Sequence, residues 1–108
     1  MDLDLNNFAS LIDEKNIKFL IFEGGWCPMC ITAMPKLIKL ANRLDLRENE
    51  FNVIEVNVSK SEPADLIAKY SISRVPTVVV LSNENELGRI TEYYNKSWAE
   101  DLFEIVSE

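Results

Sequence analysis

Residues 17–23, Ile-Lys-Phe-Leu-Ile-Phe-Glu, form a nearly unbroken apolar run that stops at Gly24-Gly25. A strand that alternates apolar and polar residues can lie on a surface, but one this apolar has to be covered on both faces. Any sheet that contains it must therefore sit between two layers of other structure. The flanking sequence offers helices for those layers. Asn7 to Glu14 sets Phe8, Leu11 and Ile12 at helical spacing. From Pro28 to about Leu46, a stripe of Ile31, Met34, Leu37, Ile38, Ala41 and Leu44 predicts a long helix, with Pro35 kinking it.

Further strands are expected at Phe51–Val58, as a second central strand, and at Thr77–Ser82 and Leu87–Tyr93, the last two joined by a turn over Asn83–Glu86. Leu3 and Leu5 suggest a short opening edge strand. Pro63 suits the first turn of a helix running to Tyr70, where its missing N–H costs nothing. Ser97-Trp98-Ala99-Glu100 is a capping box that opens a last helix with Trp98, Leu102, Ile105 and Val106 turned inward. The order (β)αβαβαββα implies early parallel pairing with right-handed crossovers and a closing antiparallel hairpin. The fold class is α/β: a central mixed sheet of four to five strands flanked by helices on both faces, in a single domain over residues 1–108.

The residues after Gly24-Gly25 carry the chemistry. Trp26-Cys27-Pro28-Met29-Cys30 holds the only two cysteines of the chain, spaced to close and reopen a small disulfide ring. If Cys27 caps the helix that begins at Pro28, unpaired N–H groups and the helix dipole favour its thiolate, the attacking species in disulfide exchange. Cys30, one turn further in, is then placed to attack the resulting mixed disulfide. A zinc site would need four ligands, and the chain has two cysteines and no histidine. A cluster shared between two chains would supply four thiolates, and a static disulfide of so small a ring would constrain the unfolded chain little.

Charge narrows the partners. With 11 basic and 18 acidic residues the net charge is −7, which disfavours nucleic acid and anionic membranes. The N-terminus lacks a basic residue ahead of an apolar stretch, no run approaches the ~20 apolar residues of a membrane span, and two cysteines make a poor framework for a secreted domain. The expected location is the cytoplasm.

The sequence resembles the thioredoxin family along nearly its whole length. Trp26-Cys27-Pro28-Met29-Cys30 is similar to that family's Trp-Cys-x-x-Cys site after a buried strand, Pro35 to the proline of its active-site helix, and Arg74-Val75-Pro76-Thr77 to its cis-proline loop. The resemblance implies a thioredoxin fold, a cis bond before Pro76, and a Val75 backbone that pairs with extended substrate. It also implies that Trp26 packs the site and that Pro28, with Met29, tunes the potential. Three positions depart from the family pattern. Ile21 stands where a buried Asp is usual, and Glu23, two residues on and on the same strand face, is the candidate proton acceptor in its place. Glu55 stands where many members have Lys, and Pro28-Met29 resembles glutaredoxins and some oxidising members rather than the usual Gly-Pro. Tyr93-Tyr94 falls near a glycine that borders the family's substrate groove.

The expected function is thiol–disulfide oxidoreduction, reducing protein disulfides through a mixed disulfide, with a role in electron transport and redox homeostasis. Cys27 is the nucleophile and Cys30 the resolving thiol. No bound cofactor or metal is required beyond the redox-active Cys27–Cys30 disulfide. The expected partners are disulfide-containing proteins and a flavin reductase or small thiol as electron donor, with the chain a monomer. The alternatives are a redox-sensing or interaction module and an oxidising or glutathione-linked member.

Overall fold

In the computed structural model, which describes residues 3–108, the apolar run is strand β1 (Ile17–Glu23). It lies inside a four-stranded sheet, between β2 (Phe51–Glu55) and β3 (Thr77–Ser82), with β4 (Asn85–Thr91) beyond β3. The β1–β2 pair is parallel and sets Phe19 opposite Phe51 and Glu23 opposite Glu55. The β1–β3 and β3–β4 pairs are antiparallel. The sheet is therefore mixed, with its parallel pair at one side and its hairpin at the other.

Both faces of β1 are covered, as its composition requires. On one face Ile17, Phe19 and Ile21 meet α1 (Leu5–Lys15), α2 (Pro28–Arg43) and α4 (Trp98–Ser107) through Phe8, Ile12, Ala33, Leu37, Leu102 and Val106. Phe8 stands edge-on to both Phe19 and Phe103, with centroids 6.5 and 5.4 Å away. On the other face Leu20 and Phe22 meet the short α3 (Ala64–Lys69) through Leu66 and Ile67, with Tyr70 just beyond it. Each large side chain taken from water there contributes about 1.5–3 kcal/mol, so three helices on one face and one on the other place most of the stabilisation on the α2 side, beneath the dithiol.

Several expectations are corrected. Leu3 and Leu5 do not form a strand: Asp4 caps a helix that starts at Leu5, its carboxylate accepting from the N–H groups of Asn6 and Asn7. An acidic N-cap outweighs the weak strand signal of two leucines. β2 is an edge strand rather than a central one, since no other described strand pairs with its outer side, and it ends at Glu55. Val56 turns into the core while Val58 is exposed. Helix α2 ends at Arg43, continues through Pro35, and buries Cys30, Ala33, Leu37 and Ala41. Of the expected stripe Leu37, Ala41 and Leu44 are buried, but Ile31 and Ile38 face outward. Pro63 is the N-cap of α3, one position ahead of the first turn. The β3–β4 turn is tighter than expected because Asn83 and Glu84 both take positive φ (50° and 72°), the conformation of a two-residue hairpin loop. β4 therefore starts at Asn85. Ile105 is half-buried and lies over Gly88, where a Cβ would come within 3.1 Å of it.

Candidate active site

The end of β1 and the start of α2 hold the two thiols. At Gly24 a Cβ would lie 2.6 Å from the Trp26 indole nitrogen, so a larger residue would force that ring to shift. The backbone then closes a turn in which the Cys27 N–H donates to the Gly24 carbonyl at 3.0 Å. Cys27 is the N-cap of α2: its backbone is extended, its sulfur accepts the Cys30 N–H at 3.2 Å, and its carbonyl accepts the Ile31 N–H. Pro28 occupies the first helical position, where a fixed φ is pre-organised and no donor is lost.

Cys30 is buried one turn inside and its sulfur accepts the Gly24 N–H at 3.4 Å. Burial, and then the hydrogen bond with Cys27, push its thiol up to about 12, and the negative charge of Glu23 pushes the same way. The Gly24 N–H opposes this shift without cancelling it. Both thiols are free in this structure. The two sulfurs thus differ sharply: one receives a helix-terminal N–H, while the other is held in its protonated form by its surroundings.

The Pro76 loop faces the outer thiol. The Val75–Pro76 peptide is cis, and the Val75 carbonyl lies 3.7 Å from the Cys27 sulfur. Three contacts hold the loop: Thr77 Oγ1 donates to the Arg74 carbonyl at 2.7 Å, the Glu92 N–H donates to the Pro76 carbonyl at 2.7 Å, and Arg74 pairs with Glu92 at 2.8 Å. The Arg74–Glu92 pair, separated by 18 positions, has no local signal in the sequence.

Cys27, Cys30, Pro28, Val75 and Pro76 are thus brought together at one end of the sheet. Trp26 is at the same place but is 59% exposed; its ring covers Gly24 and rims a groove of ≈ 210 Å³ that Val75 also lines. Glu23 is half-buried at the end of β1 and in register with Glu55. Ile21 is fully buried in the core, so the position that would hold an Asp in a thioredoxin is purely apolar here. Tyr93 is exposed, and Tyr94 turns away to stand edge-on against Trp98 at 5.4 Å.

A dithiol at a strand-to-helix junction, faced by a cis-proline loop, is an arrangement shared with known proteins. The family model for thioredoxin matches residues 1–108. A thioredoxin of Echinococcus granulosus is 35% identical over 78 residues, covering 70% of this chain and 67% of its own. One from Mycoplasma genitalium is 27% identical over 99 residues, covering 92% and 91%. Among solved structures, thioredoxin 1 of Thermosipho africanus superposes with a TM-score of 0.62 at 26% identity, over 83% of this chain and 90% of its own. The family match over the full length, joined to the paired cysteines at the head of α2, places this chain in the thioredoxin family.

Proposed function

We propose that this protein reduces disulfides of other proteins, with Cys27 as the attacking sulfur and Cys30 as the resolving one. The observation that carries the reading is the inequality of the two thiols. Both sulfurs are buried, but Cys27 sits at the helix terminus beside the Val75 carbonyl, whereas Cys30 lies one turn further in with its thiol pushed up to about 12. In the first step the Cys27 thiolate attacks one sulfur of the substrate disulfide; a Cys27–substrate bond forms and the other substrate sulfur leaves as a thiolate. In the second, Cys30 gives up its proton and attacks Cys27. The Cys27–Cys30 bond then forms and the second substrate thiol is released, so two electrons and two protons have passed to the substrate.

Because Cys30 holds its proton so firmly, the second step needs a base, and Glu23 is the carboxylate whose charge already reaches that sulfur. Val75 would hold the extended substrate strand by its backbone, in the manner of an added β-strand. The sulfurs carry the electrons themselves, so the cycle requires no resident metal or organic group; a flavin reductase or a small thiol would return the protein to its dithiol form. The reading takes the protein as a monomer in the cytoplasm, where two cysteines suit a reversible dithiol better than a secreted framework. No helix among the described residues is long and apolar enough to cross a membrane.

The test is turnover of an insulin-type disulfide substrate with a small-thiol donor. The wild type should accelerate reduction, Cys27→Ser should be inactive, and Cys30→Ser should accumulate a stable mixed disulfide. An active Cys27→Ser protein would reject the assignment. The equilibrium potential of the couple against glutathione then sets direction: a strongly reducing value supports a reductase, and an oxidising one would transfer the site to disulfide formation.

A further inference from the structure

The exposed side of α2 carries three cations that the dithiol chemistry does not use. Lys36, Lys39 and Arg43 line a groove of ≈ 260 Å³ between α2 and the start of α4, whose far wall includes Tyr94, Ser97 and Trp98. In a chain of net charge −7 this is an unusual concentration of positive charge. Arg47, Arg74, Arg89 and Lys96 are each paired with a carboxylate, and Lys15 donates to backbone carbonyls. Lys36, Lys39 and Arg43 have no ion-pair partner among the described residues.

The acids nearest in sequence to the far wall are already engaged. Glu100 accepts from the Ser97 hydroxyl, Asp101 accepts the N–H groups of Asn95 and Lys96, and Glu104 binds the Lys96 ammonium. Only Glu104 is neutralised by a cation, but among the described residues the groove itself is lined by three cations and no carboxylate, beside the half-exposed ring of Tyr94.

We infer that this groove is a docking site for an acidic, extended segment of a partner protein. The length of the cationic row selects that class of ligand. From Lys36 to Arg43 the helix rises by about 10 Å, too far for a single phosphate or carboxylate to touch all three cations. Acidic side chains on one side of an extended chain recur about every 7 Å, so two or three of them span the row. A long polyanion such as nucleic acid would run off the groove onto a surface of opposite preference, which the overall negative charge repels. An aromatic or aliphatic residue of the segment would lie against Tyr94.

The groove also connects to the exchange site. Met29 and Thr32 lie on the same stripe of α2 as Lys36, at helical spacings of seven and four residues. A segment seated on the cations thus leaves its remainder about two turns from Cys27. That the bound partner is also the one exchanging disulfides rests on the proposed function. The binding itself does not, and a probe without cysteine separates the two.

The experiment is fluorescence anisotropy with a labelled, cysteine-free short peptide of alternating Glu and Ala, at low ionic strength, on the full chain. Saturable binding is expected, with affinity falling as salt rises and about tenfold weaker in the Lys36→Gln/Lys39→Gln/Arg43→Gln variant. Lys60→Gln, which removes an exposed cation elsewhere, should bind like the wild type. Because folding of the triple variant could itself change, amide shifts of the wild type are mapped in parallel and should move along residues 36–43 and 94–99. Absence of saturable binding, equal binding by the triple variant, or shifts confined to other surfaces would overturn the inference. Tighter binding of a single-stranded oligonucleotide of equal length at these same residues would overturn it too, in favour of a nucleic-acid site.

Discussion

Raising the pH should destabilise the reduced protein through one buried thiol. Cys30 is 1% exposed, and its thiol stands at about 12 when folded against 9.0 as an ordinary thiol. A group whose pKa is raised by folding contributes its stabilisation in full below the unfolded value and loses it as pH climbs toward the folded one. Between about pH 9 and 12 the folded protein keeps a proton that the unfolded chain releases. The whole shift, 12 − 9.0 = 3, corresponds to about 4 kcal/mol. At pH 11, two units above the unfolded value, most of it, about 3 kcal/mol, should be gone. That is a large share of the ~5–15 kcal/mol that holds a domain of this kind together. The assay is urea unfolding of the reduced wild type beside reduced Cys30→Ala at a series of pH values. All other ionisable side chains are common to both proteins, so the difference between them reports on Cys30. The stability gap should be constant at neutral pH and shift against the wild type above pH 9, while the oxidised wild type, which has no such thiol, should not follow it. A gap that stays flat to pH 11 would refute the argument that burial holds the Cys30 proton.

Two further outcomes follow from the same geometry. Glu23→Gln should slow resolution of the mixed disulfide by on the order of a hundredfold at neutral pH and change its pH profile; stopped-flow decay of a Cys27–substrate adduct reads this, and an unaltered profile would remove Glu23 from proton transfer. Leu37→Ala opens a void at the centre of the core under α2, where Leu37 is 1% exposed. It should cost about 2–5 kcal/mol in chemical denaturation, and a loss below 1 kcal/mol would mean that the α2 face is loosely packed.

How far the sequence could be read depended on the range of the forces involved. The β1 strand, the helix after Pro28 and the capping box at Ser97 were visible because each is written in adjacent residues: an apolar run, a proline at the first helical position, a hydroxyl three residues before a carboxylate. The dithiol and the Pro76 loop were visible as motifs, and their facing each other across 3.7 Å follows from the fold that carries them. Errors arose where a tertiary choice overrode a local one. Ile31 and Ile38 match the apolar periodicity of α2 as well as Ala33 does, but only contact with Leu102 and Val106 selects which side of the helix turns in. Whether β2 was central or peripheral depended on whether another strand lay beyond it, which nothing within Phe51–Glu55 encodes. The cationic row of Lys36, Lys39 and Arg43 was also present in the sequence, but it acquires meaning only when α4 supplies the opposite wall.

The peripheral position of β2 affects how the molecule behaves in a crowd. No other described strand pairs with its outer side, which leaves backbone donors and acceptors open to a passing extended chain, and Val53, 47% exposed, adds an apolar handle. Such borders template association between copies unless something discourages it. Here the border is only five residues long, and Glu48 and Glu55 stand exposed at its approaches. Like charge on every copy keeps the borders apart at neutral pH, while near the isoelectric point of ≈ 4.6 that repulsion vanishes. Colloidal stability in this protein is thus set by the same excess of carboxylates that makes the basic groove on α2 stand out.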